Sequence, residues 1–379
     1  MNMLYKIIFL LILLIVLVVI SGCFYLSHDK FGRLPQGDRL DRISTSPNYL
    51  DGTFHNREPI IRIVEGGGGL GLWLKFLMRD SEGLTPPGPV PVVKTDLKAL
   101  DPNVDVVVWL GHSSYFISMG GKTVLIDPVF SDHASPVSFS TRAFEGTTLY
   151  TAEDMPDIDY LLISHDHWDH LDYDTVMALK LKARHVVTGL GVGEHFARWG
   201  FPDGMVHEAD WDEAVRLDDG FTIHVLTARH FSGRLFDRNR TLWVSFALET
   251  PSRRIFYSGD SGYGSHFKKI GDRFGGFDLV MLDSGQYNEA WQYVHMNPEQ
   301  AAQASIDLRA LAALPSHAGR FNISYHSWDE PFRRFVAAGR DKPYRLITPK
   351  IGEVITLADQ SQIFSDWWEL GEKDLVTAR

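Results

Sequence analysis

The sequence predicts an α/β protein in which β-sheets stack against each other and helices lie outside them. Three observations predict it. From about Val104 onwards, apolar runs of strand length recur at short intervals, bounded by Gly, Pro, Asn and Asp. Helical patterns fall between them at 173–182, 192–199 and 298–311. The chain has 379 residues, 44% hydrophobic and 22% charged, enough apolar material for a large core. Its formal net charge of -11 argues against non-specific nucleic-acid binding, which needs Lys and Arg to neutralise phosphates.

Residues 1–22 read as a targeting segment. Lys6 precedes an apolar run over 7–20, followed by Ser21-Gly22-Cys23. That run has the length of a signal-peptide core and is short for a spanning helix. Small residues before Cys23, the single cysteine, resemble the bacterial lipoprotein signal. The resemblance implies cleavage before Cys23, lipidation of Cys23 and a place in the bacterial cell envelope, facing the periplasm or exterior. An uncleaved N-terminal anchor is the alternative. With one cysteine, neither a disulfide framework nor thiolate metal ligation is available within the chain.

Residues 23–103 form an irregular N-terminal extension expected to pack on the catalytic domain. The glycine run 66–69 is a flexible joint. Leu70, Trp73, Leu74 and Leu77 then follow at i, i+3, i+4 and i+7, with Lys75 and Arg79 on another face. Such a stripe packs on its own domain or, alternatively, lies on a membrane. Pro86-Pro87-Gly88-Pro89-Val90-Pro91 stops regular structure.

Residues 104–379 form the expected catalytic domain. Residues 106–110 read as a strand, and 116–118 with 123–126 as a hairpin across Gly120-Gly121. Further strands are expected at 160–163, 185–188, 221–227, 242–248, 255–257 and 279–282. The helix at 298–311 opens with Asn297-Pro298-Glu299-Gln300, an N-cap, a Pro at N1 and a Gln at N3. No internal repeat is visible, although two similar β-rich halves could lie below sequence level.

The run Ser164-His165-Asp166-His167-Trp168-Asp169-His170-Leu171-Asp172 puts five candidate metal ligands into six residues. It follows an apolar strand, so a loop at a strand end can aim several short polar side chains at one point. Imidazole and carboxylate are ligands that catalytic zinc takes. A two-metal site needs more donors, and three further strand ends offer them: His230 in Thr227-Ala228-Arg229-His230, Asp260 in Ser258-Gly259-Asp260-Ser261-Gly262, and His317 in Pro315-Ser316-His317-Ala318-Gly319.

H-x-H-x-D-H, then His, then Gly-Asp-Ser-Gly, then His resembles the metallo-β-lactamase superfamily, and within it the N-acylphosphatidylethanolamine-hydrolysing phospholipase D-like branch. Trp109-Leu110-Gly111-His112-Ser113-Ser114, Ile126-Asp127-Pro128, Gly259-Asp260-Ser261-Gly262-Tyr263 and Met296-Asn297-Pro298-Glu299 carry the resemblance with the ligand motifs. It implies a four-layer αββα sandwich with metals at one edge between the sheets. It further implies that His165, His167 and His230 hold one zinc, that Asp169, His170 and His317 hold the other, and that Asp260 bridges them. A carboxylate has two oxygens and suits that bridging place. Two Zn2+ are the expected cofactors, with other divalent transition metals as alternatives. The implied reaction is hydrolysis in which hydroxide attacks a phosphodiester, phospholipase D-like on N-acylphosphatidylethanolamine or a related phospholipid. Alternatives are a lactonase or other acyl-ester hydrolase, and a non-catalytic metal-binding envelope protein. Ala318 departs from the branch, whose members commonly carry Trp there, and is expected to reshape the pocket wall.

Besides Asp169, the candidate catalytic residues are His112, in a Gly-His-Ser-Ser turn, His295, before a helix cap, and His326. Asp127 and Asp172 are expected to fix ligand imidazoles through their other ring nitrogen. His133, His185, His195, His207 and His224 have no supporting context. The expected partners are the membrane, through lipidated Cys23, and a phospholipid or small ester substrate, with no nucleic acid. The sequence assigns no oligomeric state.

Overall fold

The computed structural model describes residues 3–60, 83–234 and 237–369. The 66–69 glycine run and the Leu70, Trp73, Leu74, Leu77 stripe lie outside the described residues. A short hairpin of β1 (Tyr49–Leu50) and β2 (Thr53–Phe54) belongs to the N-terminal extension. Two seven-stranded sheets carry the rest. In the first, β16 (Val354–Thr356) lies beside β3 (Val106–Gly111), β4 (Ser114–Met119), β5 (Lys122–Ile126), β6 (Ile158–Ile163), β7 (Ala183–Gly189) and β8 (Val206–Ala209), in that order. The second runs β9 (Ala214–Asp218), β10 (Phe221–Thr227), β11 (Val244–Glu249), β12 (Arg254–Tyr257), β13 (Leu279–Asp283), β14 (Ala312–Ser316), β15 (Arg345–Leu346).

Each sheet reads from one edge as three antiparallel pairings followed by three parallel ones. Two similar halves are thus present in topology although no repeat shows in sequence. The β4–β5 hairpin closes at Met119 and Lys122 across Gly120 and Gly121, both at positive φ (59° and 73°). A two-residue turn that matches strand twist needs that backbone, which glycine adopts without strain.

Three apolar layers follow from the alternation of side chains along the strands. The main core lies between the sheets and contains Val107, Tyr115, Val124, Tyr160 and Leu162 from one, Val225, Phe246, Tyr257, Met281 and Leu314 from the other. On the outer face of the first sheet, Leu161, Ile163 and Val186 pack with α3 (Tyr173–Leu179) and α4 (Gly193–Arg198), after α1 (Met3–Leu26) and α2 (Gly37–Ser44) in chain order. Outside the second sheet, Phe256, Val280 and Ala313 pack with α5 (His266–Phe274), α6 (Pro298–Asp307) and α7 (Glu330–Gly339). This is the four-layer αββα sandwich. β6 reads as an unbroken apolar run because it is buried on both faces. Truncating Leu162 to Ala would cost about 2–5 kcal/mol.

The helix expected over 298–311 starts where expected: Asn297 Oδ1 accepts from Gln300 N (2.8 Å) and Gln300 Oε1 from Asn297 N (3.1 Å). It ends at Asp307, because Arg309 takes a positive φ of 55° and the chain then enters β14. α5 and α7 carry no strong sequence signal and follow from packing of Phe267 and Ile270, and of Phe332 and Phe335.

The extension is less irregular than expected and packs on the domain. Arg39 meets the buried carboxylates of Glu194 (2.7 Å) and Glu208 (2.5 Å). Ser46 and Asn48 hold Asp210 at 2.6 and 2.9 Å, and Ile43 and Phe54 enter the main core. At the other extreme, α1 continues through Ser21-Gly22-Cys23 and is exposed along its apolar length. Its 22-residue span Tyr5–Leu26 is longer than the 7–20 run, about 33 Å at 1.5 Å per residue, long enough to cross a membrane.

Candidate metal centre

All the side chains that gather into one cluster come from loops at the same edge of the sandwich. β6 ends at Ile163 and delivers the loop 164–172, where His170 N and Leu171 N both donate to His167 O and wind the loop into a turn. That turn lets His165, His167, Asp169 and His170 face one point. His230 follows β10, Asp260 follows β12 and His317 follows β14. His112 sits in the tight turn between β3 and β4 at φ 54°. His295 stands before the cap of α6. In parallel segments of a sheet, the carboxyl ends of strands are where loops can converge on a ligand.

The donor atoms form three overlapping groups: His165, His167, His230 and Asp260; His112, Asp169, His170 and His317; Asp260, His295 and His317. Within each, the atoms lie within 4.8 Å of one another. Asp260 joins the first two. Its Oδ2 faces His165 Nε2 (3.7 Å) and His230 Nε2 (3.6 Å), and its Oδ1 faces His170 Nε2 and His317 Nδ1, each at 3.1 Å. His167 Nδ1 lies 2.9 Å from His165 Nε2 and 3.2 Å from His230 Nε2.

Residues 122–318 match the beta-lactamase superfamily domain. An uncharacterized protein of Mycobacterium tuberculosis is 36% identical over 331 residues, 86% of this chain and 88% of that one. N-acyl-phosphatidylethanolamine-hydrolyzing phospholipase D 1 of Caenorhabditis elegans is 31% identical over 269 residues, 66% of this chain and 76% of that one. Igni18, a metallo hydrolase of Ignicoccus hospitalis, shares the fold with a TM-score of 0.51 at 19% identity, over 67% of this chain and 98% of that one. The chain belongs to the metallo-β-lactamase superfamily. By class it is a metal-dependent hydrolase of that superfamily, with a His/Asp cluster able to bind metal ions.

The superfamily's metal requirement can be tested on this chain's own atoms, and they fit a cation. His170 Nε2 and Asp260 Oδ1 are buried and make no hydrogen bond, although they lie 3.1 Å apart. Orphaned polar atoms of that kind are costly unless something binds them. Meanwhile the ring nitrogens on the far side are held. His170 Nδ1 lies 2.8 Å from Asp127 Oδ2, His230 Nδ1 lies 2.9 Å from Val294 O, and His165 Nδ1 lies 3.0 Å from Ser164 Oγ. Fixing one nitrogen from behind aims the other inwards, as metal-ligating imidazoles require.

Electrostatics agree. Burial, then neighbouring imidazoles, holds His165, His230 and His317 well below the ordinary histidine range, so they are neutral donors. Burial pushes the Asp260 carboxyl up to about 6 against the pull of His170. For His170, burial works downwards but Asp260 and Asp169 outweigh it and raise it well above 6.5. One carboxylate forced up and three imidazoles forced down, beside an Asp169 carboxyl that His170 and His112 hold well down, mark a pocket built for a cation.

All seven residues expected as ligands come together. Of the other expected residues, Asp127 does what was expected: besides His170 it accepts from Ser164 N (2.7 Å) and Tyr257 Oη (2.6 Å). Asp172 does not touch an imidazole. It accepts from Ser131 Oγ (2.7 Å) and Thr175 Oγ1 (2.5 Å) and ties the loop after β5 to the start of α3. His112 is fully buried with Nε2 3.0 Å from Asp169 Oδ2, a place from which it orients that carboxylate. His295 reaches the centre, its ring parallel to His317 at 5.0 Å. His326 does not. Its Nε2 accepts from Gln286 N (2.8 Å), its Nδ1 lies 2.9 Å from Ser327 O, and it joins no ligand group among the described residues. Ala318 is buried in the main core and pairs with His112 through the backbone. A Cβ on Gly285 would stand 3.0 Å from its methyl, so the position is packed and is no open pocket wall.

Three residues escaped sequence reasoning. Asp166 belongs to the ligand-rich run yet points away: its Oδ1 accepts from Gly233 N (2.7 Å) and its Oδ2 meets Thr241 Oγ1 (2.9 Å) and His195 Nε2 (3.1 Å). His195, dismissed as context-free, thus braces the metal loop. Asp283 at the end of β13 lies 2.9 Å from His295 Nδ1, and burial raises its carboxyl well above the usual range. A strand-end Asp was its only signal.

Proposed function

We propose that this chain is a membrane-tethered dinuclear zinc hydrolase that cleaves a phosphodiester of a phospholipid of the N-acylphosphatidylethanolamine class. The observation that carries the two-metal reading is Asp260, whose two oxygens face two different groups of imidazoles. His165, His167 and His230 would hold one ion, Asp169, His170 and His317 the other, with Asp260 shared. When bound, two such ions supply a lowered pKa for water and Lewis acidity towards the attacking and leaving oxygens of a displacement. The nitrogen and oxygen donors suit zinc.

The remaining steps belong to the chain. Asp127 and Val294 hold His170 and His230 by Nδ1, and His112 holds Asp169. His295 is left off both ions by this assignment. Burial keeps a proton on the Asp283 carboxyl facing His295 Nδ1, so Nε2 carries the ring proton; Nε2 gives it to the departing oxygen as Asp283 passes its own to Nδ1. The lipid substrate is supported by similarity to the Caenorhabditis elegans phospholipase D over 76% of its length, and the tether by the exposed apolar α1, retained or replaced by lipid on the exposed Cys23.

The full chain, loaded with zinc and presented with N-acylphosphatidylethanolamine, a simple phosphodiester and a lactone, tests this. Release of phosphatidic acid from the lipid, with two zinc ions per chain, is expected. Lactone turnover without phosphodiester turnover would replace the phosphodiester reading with the acyl-ester one.

A further inference from the structure

The chain just beyond α1 is fastened to one particular loop of the catalytic domain. Tyr25 Oη donates to Pro136 O at 2.5 Å, and Lys30 Nζ reaches the same carbonyl at 2.7 Å and Tyr25 Oη at 2.9 Å. Three residues on, Phe139 stands 81% exposed. The loop 131–143 is rigid in itself: Ser135 Oγ bonds Val137 O and Ser140 O, and Ala134 N bonds Thr141 O. A lone exposed aromatic is ordinary in water, but one held out on a braced loop gains by entering an apolar medium placed beside it.

Such a medium is adjacent. α1 exposes an apolar surface along its whole length and ends at Leu26. If Cys23 carries lipid instead, the bilayer surface still lies two residues from Tyr25. In both cases the Tyr25–Pro136 contact puts loop 131–143 at the membrane surface. The inner side of the loop leads to the metal centre. Ser131 bonds Asp172 in the ligand-bearing loop, and Ala134 packs with Phe321, whose ring meets His112 at 5.2 Å.

We propose that loop 131–143 is a second membrane contact, with Phe139 inserted among the lipids, and that it holds the metal centre against the bilayer surface. This rests on the tethered reading above and adds to it a fixed orientation. One insertion beside an anchor is enough to stop the domain from turning freely, because each added apolar contact strengthens membrane attachment.

Leu181 provides the control. It is 97% exposed, but it lies at the start of β7, next to the start of β6 and at the edge opposite the ligands. The full chain carrying Cys23→Ser, which keeps α1, receives Phe139→Cys or Leu181→Cys and an environment-sensitive fluorophore. It is reconstituted into vesicles of phosphatidylethanolamine and phosphatidylglycerol. The expected result is a blue-shifted label at 139, quenched by nitroxide lipids and reduced by dithionite several-fold more slowly than the label at 181. Equal reduction rates at the two sites, in chains that float with the vesicles, would overturn this inference and leave the tether standing. Chains that fail to float would overturn both. Phe139→Trp, read as extra quenching by brominated acyl chains over the native tryptophans, repeats the measurement without a label. Neither readout involves metal or turnover, so the substrate assignment stands or falls separately.

Discussion

The two halves of the sandwich supply the metal centre in different ways. The first sheet gives four expected ligands from one loop, His165, His167, Asp169 and His170, set by a local turn after β6. The second sheet gives one group per strand end: His230, Asp260 and His317 after β10, β12 and β14. A local turn keeps its ligands together if distant parts loosen. Ligands spread over three strands are only as well placed as the sheet that spaces them. Damage in the first half should therefore read as metal chemistry, and damage in the second as stability and metal chemistry together.

Asp260→Ala attacks the one side chain shared by both halves. Both ions should be lost on elemental analysis, and activity should fall by more than about 100-fold, the upper end for partners outside the coordination sphere. A variant that kept two ions and its rate would dissolve the bridging assignment. Asp127→Asn is milder, although the side chain also accepts from Tyr257 Oη of the second sheet. It leaves His170 Nδ1 facing an amide, so affinity should drop by about 10–100-fold, chiefly at the Asp169, His170 and His317 position. Chelator titration should then show one tight and one weakened ion where the parent shows two tight ones.

The second half depends on a piece of chain far away in sequence. Asn56 donates to His230 O (2.7 Å) and its Oδ1 accepts from His230 N (3.0 Å) and Trp243 Nε1 (3.0 Å). Asn56→Ala takes these partners from the His230 backbone, while Trp243 Nε1 keeps Ala228 O (3.2 Å), at about 1–3 kcal/mol. A lower Tm together with weaker metal binding at the His165, His167 and His230 position is expected. An unchanged Tm would show that the extension is an ornament to the site.

This contrast also explains what was legible in the sequence. The loop after β6 announced itself because ligand spacing and the preceding apolar run are both local. His230, Asp260 and His317 were legible only as strand-end residues whose order matched a family. The Asp283–His295 pair was not legible, since twelve positions and a 3-10 turn separate two residues that are each ordinary alone. Asp172 was expected to fix an imidazole and does not, because the chain turns into α3 there and its carboxylate meets Ser131 and Thr175 instead. The edge strands β8 and β9 were missed because edges are half wet, so His207, Glu208 and Arg216 break the apolar pattern. α1 was underestimated because hydropathy marked its core and not the helix that continues past it.

A pH effect separates a second-half histidine that belongs to the centre from one that does not. His266, at the start of α5, is buried against Phe267, with Nε2 3.2 Å from Ser261 Oγ. Burial lowers its pKa to about 3, with Glu58 opposing and Arg229 adding to the drop. The unfolded chain takes that proton near 6.5, about the ordinary value. Between these limits the unfolded state binds one more proton than the folded state. Stability is therefore lost as pH falls from about 6.5 towards 3, by at most about 1.4 kcal/mol per pH unit from this group. Urea unfolding of the metal-free chain should become steeper to acid by that amount in the parent than in His266→Gln. Metal-free material matters, because the ligand imidazoles release their ions over the same range and would mask the difference. Parallel curves would mean that α5 lets His266 take its proton while still docked, and that the packing which places Asp260 is looser than the buried ring implies.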